Sequence, residues 1–443
     1  MDILEKARFK TITKIASPIV VGMMSVNLLT LVDTAMVGSL GNAALAAVGL
    51  GSFLSTLIGA PFQGVATAVH AMVSRRFGAG QRDQTLVCLR GGLVLSLVIG
   101  LPISIGGYFL AGWFYSVLVA DPAVWAEGTP YFQIVALSTF LQGINFAFRG
   151  FWNGTQRPTA YMNALFLMFL SNILLNYMFI FGHWGAPELG TAGAGVGTTG
   201  SVIFGNIYYW LMHFREKKRL GSGIPRPNKA LFVRLIRLGF PAGIQEIAFM
   251  GCYMVLLYFV GLIGTAELAA ANVLIRLMTL GYLPAIGFAI AAATLVGEAL
   301  GKKDPEDAAR WCWDVNLVAV TGLTLCGLPL VFFPDPVLAI FIHDAHTLDL
   351  ARSPLRLTGL FLGLTAMGPI FIRSLISAGD AKRTMIVCTS LQWLFFLPMV
   401  WLIGVNQGFG LLGVWIVQCG FFLVMILCLI VLWHGGRWKA VDI

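Results

Sequence analysis

The chain has 443 residues, of which 58% are hydrophobic and 11% charged, with a formal net charge of +9. A soluble protein of this length needs far more charge to cover its surface, so composition excludes a soluble enzyme or binding module. No basic soluble domain is present that could hold nucleic acid, and the positive excess suits anionic lipid headgroups.

Apolar stretches long enough to cross a bilayer, which takes about 20 residues, recur along the whole chain. Twelve are expected, at 13–39, 43–74, 85–116, 124–152, 159–181, 188–215, 229–261, 266–297, 307–340, 347–377, 381–403 and 409–435. All but three of the 29 Lys and Arg fall on one side of these spans, the exceptions being Arg276, Arg352 and Arg356. The positive-inside rule then puts both termini in the cytoplasm. The basic N-terminus has no convincing cleavage site for a signal peptide. The seven cysteines lie in or beside spans and read as small buried hydrophobes.

Span 1 carries Asn27, Thr30, Asp33 and Thr34. A bare charge at the centre of a membrane helix costs roughly 2.5–3.5 kcal/mol, and such residues mark functional sites by default. Pro18, well ahead of Asp33 in the same span, removes a backbone hydrogen bond and permits a hinge or a static kink. In span 5, Asn172 and Asn176 have i, i+4 spacing and share a helix face, either as glue between helices or as part of a site. Span 6 opens with "GTAGAGVGTTG"; its Gly193 and Gly197 have a GxxxG spacing that permits close helix contact, and Thr198 and Thr199 add hydroxyls. A carboxylate, two amides and a hydroxyl could together hold a proton or a small cation. The linker follows at 215–228, with Pro225 and Pro227 stiffening it and Gly221 and Gly223 loosening it. Beyond it, Glu246 in span 7 and Arg276 in span 8 form either a buried ion pair or a candidate second-lobe polar site.

The sequence also aligns with itself. When it is slid along itself until Pro18 meets Pro241, Pro61 meets Pro284 and Gly78 meets Gly301 in the same register. Two six-helix lobes of one orientation are expected, 1–214 and 229–443, as in transporters with a central cavity. Asp33 meets Leu256 and Glu246 meets Met23, so the two halves carry different polar groups. There is no phosphate loop, zinc helix or nucleophile elbow, so the chain is expected not to be an enzyme, to use no cofactor or metal, and to run on an ion gradient.

The stretch "SPIVVGMMSVNLLTLVDTAMVGSLGNAALAAVGLG" (17–51) resembles the opening of the multidrug and toxic compound extrusion (MATE) family. The loops "RRFGAGQRD" and "EALGKKDPED" and the "GTQRP" turn fit it too. An acid in span 1 with an asparagine pair in span 5 is similar to the bacterial DinF-like branch. The resemblance implies a V-shaped pair of six-helix bundles in the cell inner membrane. It implies a monomeric antiporter that exports cationic or amphipathic drugs by alternating access and confers antibiotic resistance. Its implied coupling residues are Asp33, Asn172, Asn176 and Thr198, with Pro18 at the helix 1 bend. Some relatives have an acid at the position of Asn176, giving two carboxylates suited to sodium. The single carboxylate here favours protons as the coupling ion over Na+. A flippase for lipid-linked sugars would need cationic cavity residues, for which Arg276 is the one candidate. A membrane transferase would need clustered His, Asp or Arg at one membrane face.

Overall fold

A computed structural model describes residues 5–220 and 226–441. Gly221, Gly223 and Pro225 of the expected linker lie outside the described residues. Among those described, the chain is all-helical. In order, the helices are α1 (Lys6–Gly38), α2 (Asn42–Gly78), α3 (Arg82–Leu118), α4 (Pro122–Leu137), α5 (Thr139–Gly154), α6 (Pro158–Phe181), α7 (Thr191–Leu220) and α8 (Lys229–Ile263). Then follow α9 (Thr265–Gly301), α10 (Pro305–Phe332), α11 (Pro334–Ala339), α12 (Ala345–Thr365), α13 (Met367–Ser377), α14 (Ala381–Ser390), α15 (Leu397–Met399) and α16 (Gly410–His434).

The repeat is written into the helix starts. Lys6 and Lys229, Asn42 and Thr265, Arg82 and Pro305, Pro122 and Ala345, and Pro158 and Ala381 each begin a helix, and the members of each pair are repeat partners in the same register as Pro18 and Pro241. Local chemistry sets several of these starts. Asp121 and Asp304 cap helices whose first residue is proline: Asp121 accepts from Ala123 N at 2.9 Å and Asp304 from Asp307 N at 2.9 Å. Asp344 likewise accepts from Thr347 N at 2.8 Å and from its hydroxyl at 2.7 Å, and these bonds hold its carboxyl below the usual carboxylate range.

Ten helical segments among the described residues are long and apolar enough to cross a membrane, and the pair α4–α5, bent by 47° at Ser138, makes an eleventh. The remaining expected span, 188–215, is the 30-residue α7, whose Gly-, Ala- and Thr-rich opening carries little apolar surface. The span expected at 307–340 is broken: α10 stops at Phe332 because Pro334 cannot continue its hydrogen bonding. The span at 381–403 contains π-helical turns at Leu391–Phe396 and Val400–Asn406, on either side of α15. Cys326 is exposed, contrary to the expected burial of all cysteines.

Packing divides the chain into two compact units, 21–243 and 1–20 with 244–443. These bounds differ from the expected lobes, because the opening stretches of α1 and α8, 6–20 and 229–243, each pack with the unit that their own helix then leaves.

Candidate functional site

The polar residues of α1 separate by how they are satisfied. Thr30 and Thr34 donate to backbone carbonyls one turn back, at 3.1 and 2.7 Å, and Asn27 does the same to Met23 at 3.4 Å. Helical threonines commonly bond this way, so both threonine hydroxyls and one amide hydrogen of Asn27 are spent on their own helix. Asp33 alone of the four reaches another helix. Its Oδ1 accepts from Asn176 Nδ2 at 2.8 Å, and the same Nδ2 donates to Asn172 Oδ1 at 3.0 Å. Asn172 and Asn176 are each 1% exposed, whereas Asp33 is half-buried. The i, i+4 spacing on α6 thus builds a string of carboxylate, amide and amide.

The string has spare acceptor capacity. Asn176 Oδ1 is buried with no hydrogen-bond partner among the described residues. Asp33 accepts through Oδ1, and its second oxygen receives no donor among the described residues. Such groups are costly when left unmet, and they are ready for a proton or a monovalent cation. Among the described residues no group of three or more His, Cys, Asp or Glu side chains gathers.

Glycine makes the geometry feasible. A Cβ added to Gly197 of α7 would fall 1.9 Å from Asn176 Oδ1, and one added to Gly193 would fall 2.3 Å from Phe179 O. The GxxxG pair therefore seats α7 against α6 at the Asn176 amide. Thr198 does not join the string: among the described residues no hydrogen bond links its hydroxyl to Asp33 or the asparagines, and the neighbouring Thr199 hydroxyl points to Ile134 O at 3.5 Å.

The other wall of the site is not foreseen from the sequence. Tyr131 of α4 is buried, lies within electrostatic range of Asp33, and pairs with the Ser52 hydroxyl of α2 at 3.1 Å. One turn before Tyr131, Glu127 Oε2 is 2.8 Å from the Thr191 hydroxyl at the start of α7. A tyrosine in an apolar run gives no periodic signal, so only its position in the fold reveals it.

In the second half, of the two readings of Glu246 and Arg276, the ion pair between them is not formed. Counted along the helices from the turn at Gly264 that joins α8 to α9, Glu246 sits about 9 Å deeper than Arg276 at a rise of about 1.5 Å per residue. Arg276 is exposed, while Glu246 Oε1 is 3.6 Å from Arg373 Nη2 of α13. Pro18 lies inside α1, which continues through it as one helix.

Known proteins agree with this architecture. The chain is 26% identical over 374 residues to the probable multidrug resistance protein NorM of Neisseria meningitidis serogroup A, covering 80% of this chain and 78% of that one. It is 26% identical over 423 residues to the multidrug resistance protein NorM of Burkholderia vietnamiensis, covering 91% and 88%. A MOP superfamily transporter from Pyrococcus furiosus has the same fold, with a TM-score of 0.88, 22% identity, and coverage of 98% of this chain and 96% of that one. A structure described as the outward-facing conformation of a multidrug resistance MATE family transporter matches equally, at TM-score 0.88 and 22% identity, with the same coverage. The MatE family model matches residues 18–178 and 241–402, two segments that open on the repeat partners Pro18 and Pro241. The chain belongs to the MatE family of multidrug and toxic compound extrusion transporters.

Proposed function

We propose that the chain is a secondary multidrug efflux antiporter of the inner membrane, with both termini cytoplasmic, that exports cationic or amphipathic drugs in exchange for protons. The observation that carries this reading is the single carboxylate of Asp33 in a string with Asn176 and Asn172. The drug-export part draws support from the NorM relatives, which are described as multidrug resistance proteins. The asparagine pair favours the DinF-like branch, and the chain is proposed to act as a monomer.

The step at the site is a change in what Asn176 faces. With Asp33 ionised, the amide NH2 serves the carboxylate. A proton entering from outside turns Asp33 into a donor, and rotation of the Asn176 amide lets its unpartnered Oδ1 accept that hydrogen. The Gly197 side of α7 offers no side chain to block the rotation. Helix α1 responds by bending at Pro18, drug leaves outward, and loss of the proton inward resets the site. Thr198 stays a lesser candidate ligand, and Glu246 with Arg276 stay candidate polar groups of the second half. Sodium coupling is the second reading, favoured by the two free acceptor oxygens at Asp33 and Asn176, since a hard cation prefers oxygen ligands.

The test is Asp33→Asn, which keeps the shape and removes the titratable charge. The variant is expected to insert normally and to fail to protect cells from drugs. Full resistance in that variant would remove Asp33 from the coupling role.

A further inference from the structure

Near the start of α1, the Arg8 side chain is only 18% exposed. Its Nε lies 2.5 Å from Asp314 Oδ2 and its Nη1 lies 2.7 Å from Asp307 Oδ1. Its guanidinium also lies 3.7 Å from the centroid of the Trp311 ring. Trp311 Nε1 in turn donates to Asp307 Oδ2 at 2.9 Å. Residues 307, 311 and 314 share a face of α10, so the first turn of α1 is gripped by one side of that helix. Further along the same segment, Val20 sits against α9, where a Cβ on Gly287 would fall 2.4 Å from Val20 Cγ2. Residues 6–20 therefore dock on the unit that contains 244–443, and the rest of α1 belongs to the other unit.

The repeat builds the same dock a second time with different chemistry. In α8 the change of unit falls after Gly243, the repeat position of Val20. The partners of Gly287 and Val20 are Gly64 and Gly243, and a Cβ on Gly64 would fall 2.2 Å from Gly239 O and 3.0 Å from Gly243 N. Here backbone meets backbone. The counterparts of Arg8 and Asp314 are Leu231 and Gly91, where a Cβ on Gly91 would fall 2.7 Å from Leu231 Cδ2. Asp307 and Trp311 are replaced by Gln84 and Cys88. Both segments bury apolar side chains, Ile12, Ile15 and Ile19 in one and Leu235 and Leu238 in the other; the docks differ at their ends, a charged clamp in the first and a close-packed apolar contact in the second.

We propose that the Arg8 clamp is a releasable latch: segment 6–20 leaves its seat on α10 and returns during transport, while segment 229–243 stays seated on α2 and α3. The two seats differ in what release costs. Undocking Leu231 exposes apolar surface with nothing gained in return. Undocking segment 6–20 also exposes Ile12, Ile15 and Ile19, but at its Arg8 end it exchanges ion pairs for hydration, and partly buried pairs are nearly balanced against that exchange. Docking also leaves Arg8 Nη2 buried with no acceptor among the described residues, a donor that favours release. Pro18, just before the change of unit, marks where the segment can pivot because its missing N–H weakens the helix there. The twin proline, Pro241, lies just before Gly243, but its segment is held by the glycine contacts.

The latch's part in transport rests on the efflux reading, whereas its docking can be measured without it. Hydrogen exchange on the purified full chain in lipid nanodiscs reads the two segments side by side. Raising salt from about 0.05 to 0.5 M weakens the clamp where its groups meet water, partly buried pairs being screened less than exposed ones, and amides of 6–20 are expected to exchange about twofold faster while those of 229–243 do not change. The triple variant Arg8→Leu, Asp307→Gln and Asp314→Gly replaces the charged groups of the clamp with their repeat counterparts Leu231, Gln84 and Gly91; exchange in 6–20 should then become slow and independent of salt, and efflux should fall by about tenfold. Asp314→Asn, which keeps the shape and weakens the clamp, should speed exchange in 6–20 even if the triple variant fails to fold. Equal, salt-independent exchange of both segments in the parent chain overturns the latch, as does wild-type efflux by the folded triple variant. A chain that exchanges as expected yet exports no drug overturns the efflux reading alone.

Discussion

The two halves of the molecule share a helical frame and differ in what fills it. Five helices of each half begin at repeat-matched residues, yet Asp33 in α1 is answered in α8 by Leu256, buried at 4% exposure. The fifth segment of the first half, α6, is regular and presents Asn172 and Asn176 on one face. Its counterpart runs through two π-helical stretches and presents Gln392, whose Oε1 is buried without a partner. Duplication thus fixed where helices start and turn, while the polar groups diverged. An expensive intramembrane carboxylate kept in one copy alone points to a task that copy performs by itself.

Variants can break this asymmetry in order of expected effect. Asp33→Asn should reduce drug efflux in reconstituted vesicles to the background of protein-free vesicles, because the proposed proton carrier is gone. Gly197→Ala should come next. Its methyl would occupy the place of Asn176 Oδ1, and displacing a positioned group by an ångström can cost on the order of ten- to a hundredfold in rate. Unchanged transport by this variant would show that the Asn176 amide is dispensable. Glu246→Gln should change efflux by less than about twofold, because its pairing with Arg373 is long and partly exposed, a class of pair worth little. A loss there as deep as that of Asp33→Asn would put the second half on an equal footing and end the asymmetry.

Much of the frame was legible in the sequence, because apolar length and an internal repeat are statements about local composition. The i, i+4 asparagines and the GxxxG pair of α7 were legible for the same reason: helical spacing alone puts each pair on one face. What could not be read were choices made between distant segments. Asp33 bonds Asn176 directly and not Thr198, although the family resemblance groups both with it. Glu246 finds Arg373 of α13 instead of Arg276 on the adjoining helix, because the levels of two long helices decide the match. Tyr131 and the grip of Asp307 and Asp314 on Arg8 depend on helices brought together by the fold. Breaks inside spans were partly hidden too: Pro334 signals one, whereas Ser138 at the α4–α5 bend has no sequence mark.

The central claim is that one carboxylate in the first half couples drug export to protons. Its most direct test uses the purified chain in liposomes, with drug efflux driven separately by a pH gradient and by a sodium gradient. Efflux driven by the pH gradient, and absent with sodium alone, is the predicted result. Efflux driven by sodium with no pH gradient would contradict the account.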